Sequence, residues 1–532
     1  MMTNLYGSRW AWRFLAALVA AVSCVTATAP AVAQPPNQQL FMDVPEAGLS
    51  DAQTRRLGIY RDDPTAAEVT IIRIDVDRLQ QAGRLDIPLM HGDRLRLHGM
   101  QVQRRSPTNF DIIGDTADDA SDFTLVVDGN DVVGTIRKGE QLYSVRPLGD
   151  GTQALIRRDP NAFPPDHPPE FEEEMEKRMQ EKAPLLEQLD KMDRSGLEDS
   201  GSTTDVLVAW TQGAANQAGN INALIQLAIT ETNQSYANSR INPRLRLVHS
   251  YRTNYTESGN MRRDRDRFRI TNDGFMDEVH GLRNRHRADL AILVTARGGY
   301  CGIAADILAS PETGFAVVGQ DCATGYYSFG HEIGHLQGAR HDPEADSSTD
   351  PFSYGHGFCY KTGNWRTVMS YNNGCRNRLQ YWSNPSVRRG TVAMGTSATN
   401  NNARVLNNTA AYIANFRVAA ATPCRSGFMP AGSRLCISTN ANSARSYANA
   451  MVFCRDRRSR VASYGDLRYL YVRTGIDAAF NPNGRWIGNF VDDDRALCGN
   501  RAITRDNDPD IGNFEGTCNR FDTRSFWCAY DR

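Results

Sequence analysis

Hydrophobic and polar positions alternate in short runs through the first third of the chain. Residues 69–76 combine this alternation with β-branched side chains, and further runs follow at even spacing. Turn residues such as Asp128-Gly129-Asn130 separate the runs, which is typical of hairpins. The pattern predicts a β-rich unit from Gln34 to about Asp159, with strands at 69–76, 123–127, 132–137, 142–146 and 154–157.

Beyond residue 204 short apolar runs alternate with segments of helical period. In residues 220–239 the apolar residues fall three and four apart, as on one face of a helix. Strand–helix–strand spacing favours a mostly parallel, twisted sheet covered by helices, so 201–420 is predicted to be an α/β domain. Its predicted strands are 205–210, 245–251, 288–295 and a short edge strand at 314–319, and a second helix is expected at 276–286.

The longest apolar run, residues 14–25, follows two basic residues at the N-terminus. Ala31-Val32-Ala33 supplies the small-x-small pattern of a cleavage site, which predicts a signal peptide over 1–33 and a mature chain from about Gln34. A permanent anchor is the alternative, although the run is short for a membrane span. We therefore expect a secreted, extracellular protein that passes through the periplasm if its source is Gram-negative.

Composition excludes several classes of protein. With 60 basic and 61 acidic residues the net charge is −1, so there is no overall basic field for nucleic acid. A hydrophobic fraction of 40% is ordinary for globular domains. No nucleic-acid partner is expected, and no membrane association after signal removal.

Cysteines occur in two clusters. None lies between Gln34 and Tyr300, four lie at 301–375 and six at 424–528. This distribution predicts two separately disulfide-bonded units and an oxidising destination. Within the first cluster, Cys301–Cys322 and Cys359–Cys375 are favoured among the three connectivities, because short loops are natural places for such bonds.

A proline-rich stretch at 160–169 marks a linker after the β-rich unit. The strongly acidic residues 170–201 are predicted to form a solvated helix followed by a flexible segment. Such a segment is a natural site for proteolysis, so we expect a cut between about Glu187 and Thr204.

The chemistry-bearing motif is His331-Glu332-x-x-His335-x-x-Gly338-x-x-His341. Residues four apart share a helix face, so His331 and His335 can present two imidazoles to one metal. Gly338 is expected to end the helix and let His341 return as a third ligand. Three histidines leave one position open for water, which is the arrangement of a catalytic zinc site. Thr367-Val368-Met369-Ser370-Tyr371 supplies a methionine in a predicted turn downstream.

With these motifs, residues 204–417 resemble the metzincin metallopeptidases, in the reprolysin-like branch and closest to the bacterial peptidyl-Asp metalloendopeptidases. The resemblance implies zinc bound by His331, His335 and His341, with Glu332 as the general base toward a zinc-bound water. It also implies a Met-turn at Met369. Asp342 would be a buried support for this turn, and Tyr371 is expected either to assist at the zinc or oxyanion or simply to pack. No organic cofactor is implied.

Cleavage beside acidic residues is a further implication of this resemblance. A cation would then be expected in the specificity pocket, and Arg376, Arg378 and Arg388 are the candidates, each with an ordinary structural role as the alternative. Residues 314–319 resemble the edge strand on which metzincins bind extended substrates by strand addition.

The region 34–200 resembles a propeptide with an acidic linker. It contains no cysteine, which excludes blockade of zinc by a thiolate. A carboxylate, a histidine such as His167, or steric blockade remains, and an N-terminal domain that stays attached is the alternative.

The tail, 424–532, is predicted to be a small disulfide-rich α+β domain. Residues 452–467 resemble the first helices of C-type-lectin-like domains, although that family's calcium- and sugar-binding sequences are missing. A surface glycan or a protein is the expected ligand class. Asp492-Asp493-Asp494 offers oxygen ligands for Ca²⁺, with a solvated turn as the alternative.

Three hypotheses about function follow. The leading one is a secreted zinc endopeptidase made as a zymogen and acting on proteins or peptides. A binding protein or adhesin that acts through the lectin-like tail is the alternative, and the intact Glu332 argues against it. A zinc hydrolase of other substrates survives on fold analogy alone.

Overall fold

A computed structural model describes most of the chain from Leu40 onward. The described residues are 40–81, 85–116, 121–182, 203–296, 298–417, 424–431, 435–463, 466–467, 485–492, 495–499, 515–519 and 524–531. The predicted signal peptide (1–33) and most of the stretch predicted to be cut lie outside the described residues. Both remain predictions.

The N-terminal part is built on an antiparallel sheet, which confirms the predicted β-rich unit. In its described residues nine strands pair in the order β1-β2-β9-β8-β7-β6-β5-β4-β3. Gly129 and Gly139, at the tips of two hairpins, have φ of +61° and +57°, a conformation that glycine adopts without strain. The strands are β1 Phe41–Asp43, β2 Ala66–Ile74, β3 Leu85–Pro88, β4 Arg94–Arg104, β5 Asn109–Thr116, β6 Asp122–Asp128, β7 Asp131–Lys138, β8 Gln141–Gly149 and β9 Thr152–Arg158, with helices α1 Asp51–Arg61 and α2 Val76–Gln81.

Both faces of this sheet are covered near β6 and β7. Leu125 and Val132 point into the core of the N-terminal unit. Their neighbours Val126 and Val133 point the other way and join the core that contains Leu224. Because successive residues of a strand face opposite sides, one sheet can serve two cores. The N-terminal sheet therefore packs directly on the α/β part of the chain.

The acidic helix α3, Phe171–Glu181, is present but is not solvated on all sides. Phe171, Met175 and Met179 are buried in a cluster that includes Leu207 and Leu293. The prediction of a solvated helix is wrong because these apolar residues, four apart, form a stripe among the charges.

The α/β part contains the expected, mostly parallel sheet. Its described strands run β11-β10-β12-β14-β13, and the pairs β10/β11, β10/β12 and β12/β14 are parallel. The strands are β10 Thr203–Trp210, β11 Arg244–Arg252, β12 Leu290–Thr295, β13 Gly302–Ala304 and β14 Phe315–Gly319. The helices are α4 Gln212–Ala218, α5 Ile221–Asn238, α6 Met261–Arg269, α7 Glu278–His286, α8 Ser328–Leu336 and α9 Asn402–Ile413.

The edge strand of this sheet differs from the prediction. Residues 314–319, expected at the edge, form β14, which lies between β12 and β13. The strand at this edge of the sheet is β13, which pairs antiparallel with β14. At three residues β13 is too short to give a periodic signal in the sequence, whereas the apolar run of β14 gives a clear one.

Smaller strands and four disulfides complete the described chain. Cys301–Cys322 and Cys359–Cys375 confirm the favoured pairing, and Cys424–Cys436 and Cys454–Cys528 join residues of the tail to each other. The strands after α8 are β15 Cys359–Tyr360, β16 Trp365–Arg366, β17 Asn377–Arg378, β18 Asn384–Arg389 and β19 Val392–Met394. The tail contains helix α10 Tyr447–Arg455 and strands β20 Phe428–Pro430, β21 Leu435–Ser438, β22 Asn442–Arg445, β23 Arg460–Val461, β24 Arg485–Asp492, β25 Arg495–Gly499, β26 Glu515–Asn519, β27 Arg524–Phe526 and β28 Cys528–Asp531.

The tail thus combines a helix with strands, as predicted, while its resemblance to C-type-lectin-like domains stays a prediction. The proposed calcium ligands Asp492, Asp493 and Asp494 fall where the structure describes no side chain. Among the described helices, none combines the length and the apolar composition that crossing a membrane requires.

Candidate active site

Helix α8 carries the first half of the histidine motif. It begins at Ser328, and its residues are all buried. Gly338, with φ +101°, ends the helix, and the N–H of Ala339 donates to the carbonyl oxygen of Gly334 at 2.9 Å. This left-handed cap turns the chain sharply, as the sequence predicted, and brings His341 back toward the helix.

Three imidazoles converge at this turn. The Nε2 atoms of His331, His335 and His341 lie 2.9–3.2 Å from one another. The Nδ1 atoms face oxygen acceptors: the carbonyl of Val368 for His331 and that of Ala339 for His335, both at 2.9 Å, and the carboxylate of Glu172 for His341. Because carbonyl oxygens only accept, the Nδ1 atoms of His331 and His335 carry the protons, and their Nε2 lone pairs face inward.

This arrangement fits a metal cation. Burial, reinforced by neighbouring imidazoles, holds the pKa values of His331 and His335 well below the usual range, and burial lowers the pKa of His341 in the same way. Neutral nitrogens that face each other without a shared proton repel, and a cation between them removes the repulsion. Three imidazoles, each oriented through its other nitrogen, are a typical zinc donor set.

Glu332 lies beside the histidines with its side chain about 1% exposed. Its carboxyl packs against Gly302 of the edge strand, where an added Cβ would come within 2.2 Å of Oε1. Burial raises the pKa of Glu332 above its usual value. A carboxyl with a raised pKa, next to a metal site, is suited to accept and return a proton.

The predicted turn at Met369 lies directly below helix α8. The N–H of Ser370 donates to the carbonyl of Thr367 at 3.1 Å, and Met369 is buried against Gly334. Asp342 accepts hydrogen bonds from the N–H of Tyr371 (2.8 Å) and the hydroxyl of Ser370 (3.1 Å). These are the contacts expected of a carboxylate that supports the turn.

His167 of the proline-rich linker enters the same site. Its Nε2 lies 3.1 and 3.2 Å from the two carboxyl oxygens of Glu332, and its Nδ1 lies 2.8 Å from the hydroxyl of Tyr371. The four histidines offer nitrogens within 4.8 Å of one another. Burial opposes protonation of His167, but the charge and hydrogen bond of Glu332, together with the charges of Asp166 and Glu172, outweigh it and raise the pKa of the imidazole. His167 therefore occupies the space between the general-base candidate and Tyr371.

Other residues of the linker and of α3 close over the histidines. The ring of Phe171 stacks on His167, with 4.1 Å between centroids, and lies 5.1 Å from that of His335. Glu172 binds His341, as described above, and Arg340 pairs with Glu176 at 3.4 Å. The motif histidines are consequently buried under residues that precede β10.

The structure thus brings together all seven site residues that the sequence predicted. Of the three candidate arginines, Arg376 and Arg388 are exposed, whereas Arg378 is buried at the site. Sequence reasoning missed Asp166, Phe171, Glu172 and the edge strand β13. The apolar stripe of α3 was a signal for Phe171; the others depend on contacts between residues far apart in the chain.

Comparison with known proteins agrees with this geometry. Residues 200–383 match the family described as metallo-peptidase family M12, of the reprolysin type. A peptidyl-Asp metalloendopeptidase of Xanthomonas campestris pv. campestris is 44% identical over 298 residues, which cover 55% of this chain and 69% of that protein. One from Stenotrophomonas maltophilia is 44% identical over 310 residues, 56% of this chain and 72% of that protein. One from Pseudomonas fragi is 42% identical over 191 residues, 35% of this chain and all of that protein.

The match to the M12 family spans the histidine motif and the turn at Met369, which are the parts that the structure brings together around one buried site. The alignment with this chain covers more than two thirds of the relative's own length in two cases and all of it in the third. The chain therefore belongs to the peptidyl-Asp metalloendopeptidase family of reprolysin-like zinc metalloendopeptidases.

Proposed function

We propose that this chain is the precursor of a secreted zinc endopeptidase. His331, His335 and His341 hold the metal, Glu332 is the general base, and the residues before β10 keep the site closed. The observation that carries the proposal is the convergence of three inward-facing imidazole nitrogens next to a buried carboxyl of raised pKa.

Each residue has a definite task in peptide hydrolysis. A bound zinc supplies a Lewis acid that polarises the scissile carbonyl and promotes deprotonation of water. Glu332 takes a proton from the attacking water and returns it to the leaving amine. The hydroxyl of Tyr371 donates a hydrogen bond to the oxyanion. Once the linker has left, the outer edge of β13 binds the substrate backbone by strand addition.

A preference for acidic residues is supported by the name of the relatives, peptidyl-Asp metalloendopeptidase. The buried Arg378 offers the required positive charge at the site. Proteins and peptides are therefore the expected substrates, with cleavage favoured at bonds next to acidic residues.

Latency is supported by the position of His167. Both partners of its imidazole, Glu332 and Tyr371, are groups that the reaction needs, so substrate and His167 compete for one place. This interaction explains how a propeptide without cysteine can act. If the N-terminal part instead stayed attached in the active enzyme, the linker would have to leave the site before each turnover.

Secretion is supported by the apolar run at 14–25 and by the disulfides. Four disulfides in the described chain are consistent with folding in an oxidising compartment. The alternative of a binding protein acting through its tail is not favoured, because the M12 match lies at 200–383 and the relatives are peptidases.

Glu332→Gln tests the proposal, because it keeps the shape of the side chain and removes the proton acceptor. We expect the variant to bind about one zinc and to lose activity on a casein-type substrate by roughly 10²- to 10⁴-fold. Glu312→Gln, at an exposed position, is the matched control and should behave as wild type. A fully active Glu332→Gln enzyme would show that the general-base assignment is wrong.

The same variant tests how the precursor matures. If processing is autocatalytic, Glu332→Gln protein accumulates uncut; if another protease cuts it, its N-terminus moves to between about Glu187 and Thr204. Edman sequencing distinguishes the two cases. A fully active enzyme whose N-terminus is near Gln34 would contradict the propeptide assignment.

A further inference from the structure

Arg378 forms a buried ion pair with Asp166, the residue just before His167. Its Nη2 lies 2.7 Å from Oδ2 of Asp166, and the two residues are 2% and 9% exposed. Burial by itself would raise the pKa of Asp166, but the charges of Arg378, Arg366 and His167, together with the hydrogen bond from Arg378, outweigh it and hold that pKa below the usual value. Asp166 is therefore an ionised carboxylate in a buried site.

The guanidinium of Arg378 is held by atoms of the α/β part of the chain. Its Nη1 donates to the carbonyl of Tyr326 and its Nη2 to that of Ser370, both at 3.2 Å. The ring of Tyr326 lies below it, 4.4 Å from the guanidinium carbon. The arginine is thus oriented by its own domain, whereas the carboxylate that neutralises it comes from the linker.

The backbone around Asp166 lies along the edge strand. The N–H groups of Cys301 and Gly302 donate to the carbonyls of Pro165 (2.9 Å) and Asp166 (3.1 Å). Phe163 stacks on Tyr326, with ring centroids 4.3 Å apart. A peptide segment whose carbonyls bind an edge strand, next to the reacting groups, occupies the place of a substrate.

From this arrangement we infer that Arg378 is the specificity-determining residue of the enzyme and that Asp166 occupies its pocket as a substrate mimic. The inference rests on the proposed function and adds the residue that selects the substrate. When the linker leaves, the buried guanidinium loses its carboxylate. A substrate aspartate next to the scissile bond restores the pair, whereas asparagine, of nearly the same shape, leaves the charge without a counter-ion.

Two peptides that differ only in aspartate or asparagine beside the scissile bond test the inference. We expect wild-type enzyme, matured from the full chain, to cleave the aspartate peptide with a kcat/KM about 100-fold higher or more. In Arg378→Gln this ratio should fall toward one. The exposed arginines provide matched controls: Arg376→Gln and Arg388→Gln should keep the wild-type ratio.

A second measurement does not depend on the folding of an Arg378 variant. A synthetic peptide of residues 160–172 should inhibit wild-type enzyme competitively, and the same peptide with Asp166→Asn should have an inhibition constant about 100-fold higher. In the full chain, Asp166→Asn should also shorten the time before activity appears.

The outcomes separate this inference from the proposed function. A wild-type enzyme that carries zinc but cleaves neither peptide overturns both. An active wild type with equal rates on the two peptides, or an Arg378→Gln enzyme with an unchanged ratio, overturns the role of Arg378. Equal inhibition by the native linker peptide and by its Asp166→Asn version overturns the substrate mimicry.

Discussion

Glu231 offers a quantitative test of how the N-terminal sheet packs on the α/β part. This residue of α5 is 2% exposed, and its Oε2 accepts a hydrogen bond from the N–H of Gly325 at 2.9 Å. Arg137 and Arg146 of the N-terminal sheet bind the same loop, through the carbonyl of Gly325 (3.0 Å) and the hydroxyl of Thr324 (2.9 Å). Burial raises the pKa of Glu231 to about 7, against an ordinary value of 4.5.

The sign and size of the effect follow from this pKa. Between pH 4.5 and 7 the unfolded chain has released the proton of Glu231 while the folded chain retains it, so the free energy of unfolding falls as pH rises. A difference of roughly 2.5 pH units at about 1.36 kcal/mol each corresponds to about 3 kcal/mol. Above about pH 7 the contribution of this group no longer changes.

Glu231→Gln removes the titration and keeps an oxygen that can accept from Gly325. Relative to wild type, we expect the variant to be equally stable near about pH 4.5 and more stable by up to about 3 kcal/mol at about pH 8. If the several hundred described residues unfold in a single transition, a difference of about 3 kcal/mol in the free energy of unfolding corresponds to a difference of about 3 °C in Tm. The assay is thermal unfolding at saturating zinc from about pH 5 to 8, in a Glu332→Gln background that prevents self-digestion.

Glu173→Gln, at an exposed position on α3, is the control for loss of a carboxylate. Its difference from wild type should vary little over this pH range. If the curves of Glu231→Gln and wild type remain parallel over the whole range, the buried carboxyl is not protonated in the folded chain, and the packing described around it is wrong.

Two further predictions concern the active site. Gly302→Ala places a Cβ within 2.2 Å of the Glu332 carboxyl, so it should lower kcat about 100-fold with zinc content unchanged. The control is Gly281→Ala, whose Cβ meets no atom within 4 Å and which should have little effect on kcat. Equal losses of kcat in the two variants would refute the steric argument. Removing the metal with a chelator should lower Tm, because three buried imidazoles then face each other without a cation. Added zinc at about 1,000 times its Kd should raise the free energy of unfolding again by roughly 4 kcal/mol. A Tm that does not respond to zinc would contradict a metal site at these histidines.

Local sequence patterns predicted much of the fold but little of the closure of the site. The helix over His331 and His335, its end at Gly338 and the disulfide pairs follow from spacing within short segments, and the structure contains them. The pairing of Asp166 with Arg378 joins residues 212 positions apart. Such a contact depends on the packing of a whole sheet, which no local period in the sequence encodes. The same limit explains why Arg378 could not be separated from Arg376 and Arg388 by sequence alone.

Covalent continuity between the linker and β10 affects the strength of inhibition. In the uncut chain His167 and Asp166 belong to the same molecule as the site that they fill, so they bind it at a fixed effective concentration. Dilution cannot weaken this contact. Once the chain is cut, the same residues belong to a separate molecule, and their occupancy falls as the protein is diluted. In the proposed maturation, a single cleavage therefore turns a concentration-independent block into an ordinary dissociable inhibitor, and activity after the cut should rise as the protein is diluted.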